Sequence, residues 1–151
     1  RTKRIHIGMD EAFNLGRGKH LDIHGYEPVN TIIKRHLARV CDIAKKYDYE
    51  LMVWSDMFFR SWNKGKYDIP KTNVPDYVKK DYPTDVIPVY FNYDSKDQKT
   101  YDDMLENHKQ LSNKTWFAGG SWCWLGFIPF NRFTLQSMIP AIDACKKNQN
   151  L

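Results

Sequence analysis

The sequence predicts an α/β fold in which helices pack on a parallel β-sheet. Three observations support this prediction. Strand-like and helix-like segments alternate four times along the 151 residues. The strand-like segments are apolar on both faces, as expected for strands buried between two layers. A long loop follows each strand and precedes each helix, which is the order of connections in a parallel α/β sheet.

Four short apolar segments are predicted as strands: residues 4–9, 50–55, 86–91 and 115–119. Pro88 weakens the third prediction, because proline has no N–H to donate to a sheet ladder. The fourth strand ends at Gly119 and Gly120. These glycines and Gly8 are expected to allow close approach of the backbone.

Four segments with helical spacing are predicted as helices: residues 29–47, 76–82, 99–111 and 132–147. The first begins after Pro28, a residue favoured at the start of a helix, and carries one apolar stripe. Pro140 is expected to kink the last helix. Residues 11–26 and 56–75 are predicted as long loops.

The positions of the loops predict a partial TIM barrel. In that fold the active site lies at the C-terminal ends of the strands, where the polar residues of this chain also fall. A complete barrel has eight units and about 250 residues. This chain has four units, so we expect residues 1–151 to form one domain with two unpaired edge strands. Such edges favour association, and a homodimer would complete an eight-stranded ring unless other neighbouring molecules cover the edges.

The composition argues against several other classes of protein. The net charge is +5, but basic and acidic residues are mixed, so neither nucleic-acid binding nor membrane binding is predicted. The histidines lack metal-ligand spacing, and no cofactor is expected. Cys41, Cys123 and Cys145 are expected to be free, buried thiols. The chain begins without Met or a signal peptide, so we expect a piece of a longer protein whose location is open, with the cytoplasm slightly favoured.

The segment HIGMDEA, residues 6–12, carries the candidate catalytic residues. Neighbouring side chains in a strand point to opposite faces, but the backbone turns at a strand end, so Asp10 and Glu11 can reach one cavity. Two close carboxylates push their pKa values apart. The one that keeps its proton can donate it to a leaving group. The alternative is an acid pair on a solvated loop.

HIGMDEA resembles the His-x-Gly-x-Asp-Glu signature of family 20 glycoside hydrolases, the β-N-acetylhexosaminidases. Three further segments look like those of a bacterial subgroup: GRGK at 16–19, MVWSDMFFR at 52–60 and GGSWCWLGF at 119–127. The last two resemble fifth-strand and seventh-strand motifs. Ordered similarity over most of the chain is more specific than any one motif. It implies the second half of a barrel that lacks the first three strands and the last.

The resemblance implies a retaining exo-β-N-acetylhexosaminidase that uses substrate-assisted catalysis. Its substrates would be glycans with terminal N-acetylglucosamine or N-acetylgalactosamine, cleaved through an oxazoline-type intermediate. Glu11 is implied as the general acid and then base, and Asp10 as the group that orients the acetamido N–H. Tyr93 is implied as a donor to the acetamide carbonyl. It follows Phe-Asn here, where related enzymes tend to have Trp-Asp, which leaves the fine substrate preference open.

Three tryptophans near strand ends are candidate substrate-binding residues: Trp54, Trp122 and Trp124. Their indoles would wall the acetamide methyl, with Trp122 preferred as the platform under the sugar. The alternative for each is core packing. Trp116 lies in the middle of a predicted strand and is assigned to the core.

Two further polar residues are assigned to substrate binding, each with a structural alternative. His6 either braces the acid pair or is a core histidine. Asp56 either contacts a sugar hydroxyl or caps the following loop. The alternative function for the whole chain is a catalytically inactive fragment with at most weak sugar binding.

Overall fold

A computed structural model describes residues 2–148 and contains one four-stranded sheet within them. The strands are β1 (Arg4–His6), β2 (Glu50–Trp54), β3 (Val86–Phe91) and β4 (Trp116–Ala118). All three strand pairings are parallel, in the order β1-β2-β3-β4. The predicted α/β fold with a parallel sheet is therefore confirmed.

Helices follow each of the strands. They are α1 (Lys19–His24), α2 (Val29–Lys46), α3 (Asp56–Arg60), α4 (Asp76–Asp81), α5 (Gln98–Lys109) and α6 (Asn131–Asn148). The four predicted helices are confirmed as α2, α4, α5 and α6, and Pro140 lies within α6, which continues past it. The short helices α1 and α3 lie in stretches predicted as loops, because helices of six and five residues are too short to show a clear helical period.

The sheet is curled, so that side chains of its two edge strands meet across the concave face. The guanidinium carbon of Arg4 on β1 lies 5.3 Å from the ring centroid of Trp116 on β4. Nearer the C-terminal ends of the strands, the ring of Trp54 lies 4.3 Å from that of His6 and 5.3 Å from that of Phe91. The sheet therefore forms a half-barrel whose concave face is lined by side chains.

The hydrophobic core lies mainly between the sheet and the helices on its convex face, and β3 is buried over most of its length. The edge strands are different: β1 is exposed and β4 is only partly buried. The prediction of strands buried on both faces is therefore wrong at the two edges. Trp116, predicted in the core, is 43% exposed, because it lies on the concave face of an edge strand.

Pro88 is accommodated within β3 by its position relative to β4. The backbone N–H of Ser55, after β2, donates to the Val89 carbonyl, whereas the N–H of Asn92 donates to the Ala118 carbonyl. Backbone groups of odd-numbered residues in β3 therefore face β2, and those of even-numbered residues face β4. The nitrogen of Pro88 points toward β4 before the paired segment of β4 begins, so no ladder bond is lost.

The three cysteines are free thiols. Cys41 and Cys145 are half-buried, but Cys123 is exposed in the loop after β4, so the expectation of buried thiols is wrong there. Within residues 2–148, none of the helices combines the length and the hydrophobicity needed to cross a bilayer. The same part of the chain holds no group of three or more side chains suited to binding a metal ion.

Candidate active site

The acid pair lies on a tight turn after β1. Gly8, Met9 and Glu11 have φ angles of 71°, 71° and 47°, in the left-handed region that residues other than glycine rarely adopt. The N–H of Trp54 donates to the Gly8 carbonyl over 3.1 Å, which ties the turn to the end of β2. Gly8 was expected to allow a close backbone approach, but a Cβ there would meet no atom closer than 3.9 Å. The position favours glycine because of its positive φ instead.

A cleft of about 170 Å³ opens at the C-terminal ends of the strands. Its lining residues come from all four strand ends: Asp10, Glu11, Trp54, Phe91, Tyr93, Ala118 and Gly119. The three predicted catalytic residues meet here, together with one of the three predicted tryptophans. The turn after β1 therefore brings both carboxylates to one cavity, as the sequence predicted.

Asp56 lies behind the cleft. Its side chain is completely buried, and Oδ2 accepts hydrogen bonds from the Glu11 backbone N–H (3.0 Å) and from Nε–H of Arg60 (3.2 Å). Burial raises the pKa of Asp56, although these donors oppose the rise. The predicted contact with a sugar hydroxyl does not fit this position; instead, Asp56 holds the backbone of Glu11 in its left-handed conformation.

Tyr93 separates the cleft from the other two tryptophans. Trp122 Nε1–H donates to the Tyr93 carbonyl over 2.6 Å. The rings of Trp122 and Trp124 stack with centroids 5.0 Å apart, and both meet the Tyr93 ring at steep angles. A Cβ on Gly120 would lie 2.6 Å from Trp124 and 3.1 Å from Tyr93, so this packing requires glycine. Trp122 and Trp124 therefore support Tyr93 from behind and do not line the cleft.

His6 braces the turn that carries the acids. Its Nδ1 accepts the Gly8 N–H over 3.1 Å, and its ring packs against Trp54. Partial desolvation of the His6 ring lowers its pKa, while the nearby Asp10 carboxylate raises it. The alternative of a core histidine is wrong, because His6 is exposed.

The charges at the cleft are available to a ligand. Asp10 and Glu11 are both exposed, and within residues 2–148 neither carboxylate forms an ion pair. Burial raises the pKa of the Tyr93 hydroxyl, and Asp94, Glu11 and Asp10 add to the rise. Tyr93 is therefore a neutral phenol at physiological pH and can donate a hydrogen bond into the cleft.

Phe91 was not predicted as a cleft residue, and neither were the buried polar groups behind it. Phe91 ends β3 as Trp54 ends β2, and both side chains lie on the concave face. Their shared position at the C-terminal ends of neighbouring strands could have predicted that Phe91 lines the cleft beside Trp54. For the buried polar side chains of Ser55, Tyr67 and His108, the sequence held no such signal, because they are far apart along the chain.

The cleft combines two carboxylates, a phenol and an indole wall. Such groups can transfer a proton, stabilise a developing positive charge and pack against the apolar face of a sugar. No protein-family model and no curated protein sequence matches this chain. The chemistry of the cleft and the motif resemblance are therefore the basis for assigning a function.

Proposed function

We propose that this chain carries the acid-base machinery of a retaining exo-β-N-acetylhexosaminidase, on part of a TIM barrel. The observation that supports the proposal most directly is the meeting of Asp10, Glu11, Tyr93 and Trp54 in one cleft. The cleft lies at the C-terminal ends of parallel strands, which is where TIM-barrel active sites are built. The ordered resemblance of HIGMDEA, of residues 52–60 and of residues 119–127 to family 20 glycoside hydrolases supports the same function.

In the proposed reaction, the terminal N-acetylhexosamine supplies its own nucleophile. Glu11 donates a proton to the glycosidic oxygen as the bond from that oxygen to the anomeric carbon breaks. The acetamide carbonyl oxygen forms the new bond to that carbon, which gives an oxazolinium ring and releases the alcohol. Glu11 then removes a proton from water, the water oxygen adds to the anomeric carbon, and the ring opens with net retention.

The other cleft residues hold the acetamide in this proposal. Asp10 accepts the acetamido N–H and stabilises the positive charge that develops as the ring forms. Tyr93, kept neutral by its raised pKa, donates a hydrogen bond to the carbonyl oxygen. Trp54 provides a flat apolar surface for the methyl group.

The proposal is tested by hydrolysis of 4-nitrophenyl N-acetyl-β-D-glucosaminide. We expect the chain to release nitrophenolate and the Glu11→Gln variant to lose about 100-fold or more of kcat, the usual contribution of an acid-base group. Glu106→Gln is the matched control, because Glu106 pairs with Lys71 and Lys109 on the surface of α5. A folded wild-type chain without turnover would refute the proposal.

The second candidate function is a sugar-binding fragment without activity, and the openness of the site favours it. Both carboxylates are exposed, whereas glycosidases raise the pKa of the catalytic acid by burying it. This function predicts that N-acetylglucosamine changes the fluorescence of Trp54 at millimolar concentration without any turnover. Trp54→Phe would remove that signal, and Trp62→Phe, which lies outside the cleft, would keep it.

We propose a second copy of this chain as the partner that covers the two free sheet edges. Apolar side chains are exposed beside both edges: Ile5 on β1, and Leu135, Ile139 and Ile142 on α6 after β4. The three residues on α6 follow helical spacing and form one stripe. A copy related by a twofold axis along the barrel would pair its β1 with β4 and its β4 with β1, which closes the ring. The α6 stripe would then cover Ile5 of the second copy.

Sedimentation equilibrium tests this partner. We expect a dimer for the wild-type chain and a monomer for Ile139→Asp, which places a charge in the proposed interface. Ile43→Asp is the control, because Ile43 is equally exposed but lies on α2. A monomeric wild-type chain would exclude the homodimer and leave the proposed hydrolase activity unaffected.

A further inference from the structure

A chain of buried polar groups runs behind the cleft from α5 to the ends of two strands. His108 on α5 is completely buried, with Nδ1 2.6 Å from the Met104 carbonyl oxygen and Nε2 2.7 Å from Ser55 Oγ. Ser55 Oγ lies 2.6 Å from the hydroxyl of Tyr67. That hydroxyl accepts the backbone N–H of Phe91 over 3.4 Å. We call these four residues, His108, Ser55, Tyr67 and Phe91, the relay.

The chemistry of the partners sets the direction of the hydrogen bonds in the relay. A carbonyl oxygen can only accept, so Nδ1 of His108 carries the proton and Nε2 of the neutral ring accepts from the Ser55 hydroxyl. The Val89 carbonyl is a second acceptor, 3.0 Å from Ser55 Oγ, but it already receives the Ser55 N–H. Nε2 has no other donor within residues 2–148. Ser55 Oγ then accepts from the Tyr67 hydroxyl.

Burial keeps the relay in this neutral form. It lowers the pKa of His108 to about 4 and raises that of Tyr67. The His108 ring packs against Phe59 and Tyr90, with centroids 4.6 and 5.0 Å away. The ring therefore has little freedom to rotate, because protein interiors are close-packed.

The relay touches the cleft through the residues next to its members. Ser55 lies between Trp54, which lines the cleft, and Asp56, which binds the Glu11 N–H. Phe91 belongs both to the relay and to the cleft wall. One histidine on α5 is thus connected to the ends of β2 and β3 and, through Asp56, to the turn after β1.

We infer that His108 is a positioning residue of the candidate active site, which sets Trp54 and Phe91 through the hydroxyl groups of Ser55 and Tyr67. His108 is not a catalytic residue, because its buried ring does not reach the cleft. The consequence for turnover rests on the proposed hydrolase function. The placement of Trp54 and Phe91 does not depend on that function, so the placement and the turnover are tested separately.

The first experiment measures the histidine tautomer by long-range 15N–1H NMR of the full chain. We expect His108 to carry its proton on Nδ1 and to remain neutral from pH 8 to pH 5. This tautomer is the minor one for histidine in water, so its presence would report that the Met104 carbonyl holds Nδ1–H and leaves Nε2 as an acceptor. A proton on Nε2 would overturn the inference, because the Ser55 hydroxyl would then lose its acceptor.

The second experiment compares two buried tyrosines that differ in their partners. Tyr67→Phe removes one hydroxyl from the relay. Tyr82→Phe removes an equally buried hydroxyl that has no hydrogen-bond partner within residues 2–148. We expect Tyr67→Phe to shift the NMR signals of the Trp54 indole N–H and the Phe91 amide, and Tyr82→Phe to leave both in place. Unmoved signals in Tyr67→Phe would overturn the inference whether or not the chain hydrolyses glycosides.

Turnover then tests the catalytic consequence. If the wild-type chain is active, we expect Tyr67→Phe to lower kcat about tenfold with little change in KM, since small displacements of positioning groups reduce the rate strongly. Tyr82→Phe should match the wild type. A wild-type chain without turnover, but with the shifted Trp54 signal in Tyr67→Phe, would refute the hydrolase proposal and keep the relay as the support of the cleft walls.

Discussion

The two ends of the half-barrel use the same residue types in different ways. A cleft of about 390 Å³ lies at the N-terminal ends of the strands, and the charged residues in its wall form ion pairs, Lys3 with Asp48 and Lys114 with Glu50. The cleft at the C-terminal ends encloses only about 170 Å³. Its two carboxylates have no ion-pair partner within residues 2–148. Cavity size alone would select the N-terminal end, whereas the presence of carboxylates without an ion-pair partner selects the C-terminal end as the candidate site.

Glu50 illustrates the difference. Hydrogen bonds from Arg4 and Lys114 hold the pKa of Glu50 below its usual value, so this carboxylate stays ionised and cannot donate a proton at neutral pH. Within residues 2–148 the Glu11 carboxylate forms no ion pair, and the Glu11 backbone is held by Asp56. A carboxylate that is held in place and forms no ion pair is suited to acid-base chemistry, whereas an ion-paired carboxylate is suited to a structural role.

The largest predicted effect is a loss of activity at one end only. If the proposed hydrolase reaction is right, we expect Asp10→Asn to lower kcat about 100-fold or more, because an amide cannot stabilise the positive charge that this reaction would develop on the acetamide. Asp48→Asn, at the opposite end, should leave kcat unchanged. Hydrolysis of the nitrophenyl glycoside measures both variants, and equal effects at the two ends would contradict the comparison.

The next effect is a loss of stability in acid, caused by the relay at the C-terminal end. The pKa of His108 is lowered on folding from 6.5 to about 4, so the unfolded chain binds its proton first as the pH falls. Above pH 6.5 His108 is neutral in both states and does not reduce the free energy of unfolding. Between pH 6.5 and pH 4 that free energy falls by about 3 kcal/mol.

Urea unfolding at pH 7 and pH 4.5 measures this loss. The variant His108→Gln cannot titrate, so its free energy of unfolding should fall less over the same range. The wild type and the variant share all other titrating groups, which makes their difference specific to His108. An identical pH dependence in both would show that folding does not shift the pKa of His108, because a group with the same pKa in both states adds no pH dependence to the free energy of unfolding.

A smaller effect is expected from the packing behind Tyr93. Gly120→Ala places a Cβ against Trp124 and Tyr93, and overpacking of this kind costs about 1–3 kcal/mol. Gly126→Ala in the same loop is the matched control, since a Cβ there meets nothing within 4 Å. Thermal unfolding should show a lower Tm for Gly120→Ala alone. An unchanged Tm would mean that Trp122 and Trp124 shift without cost and do not fix the position of Tyr93.

The smallest effect is expected at the N-terminal end. Lys3 and Asp48 are both mostly exposed, and such surface pairs contribute about 0–1 kcal/mol. Lys3→Ala should therefore change the free energy of unfolding in urea by less than about 1 kcal/mol. A larger loss would show that this end is held by its charges, and the contrast between the two ends would need revision.

Most of the fold and the centre of the candidate site could be predicted from the sequence, because they depend on local patterns. Alternating apolar segments located the four strands, and helical spacing located α2, α4, α5 and α6. A carboxylate pair at a strand end predicted that Asp10 and Glu11 share a cavity, and Trp54 was a candidate by its position near a strand end; Tyr93 was implied by the family resemblance. In a parallel sheet the C-terminal ends of all strands meet at one edge, so residues that share this position also share a site.

The tertiary structure alone decided which side chains are buried and which pairs meet. Trp116 is exposed because its strand is an edge, and Trp122 and Trp124 lie behind Tyr93 because the loop after β4 folds over Gly120. His108 reaches Ser55 across 53 positions of the chain. Periodicity describes which face a residue occupies on its own element, but the packing of elements determines what lies opposite that face, and only the folded chain contains that information.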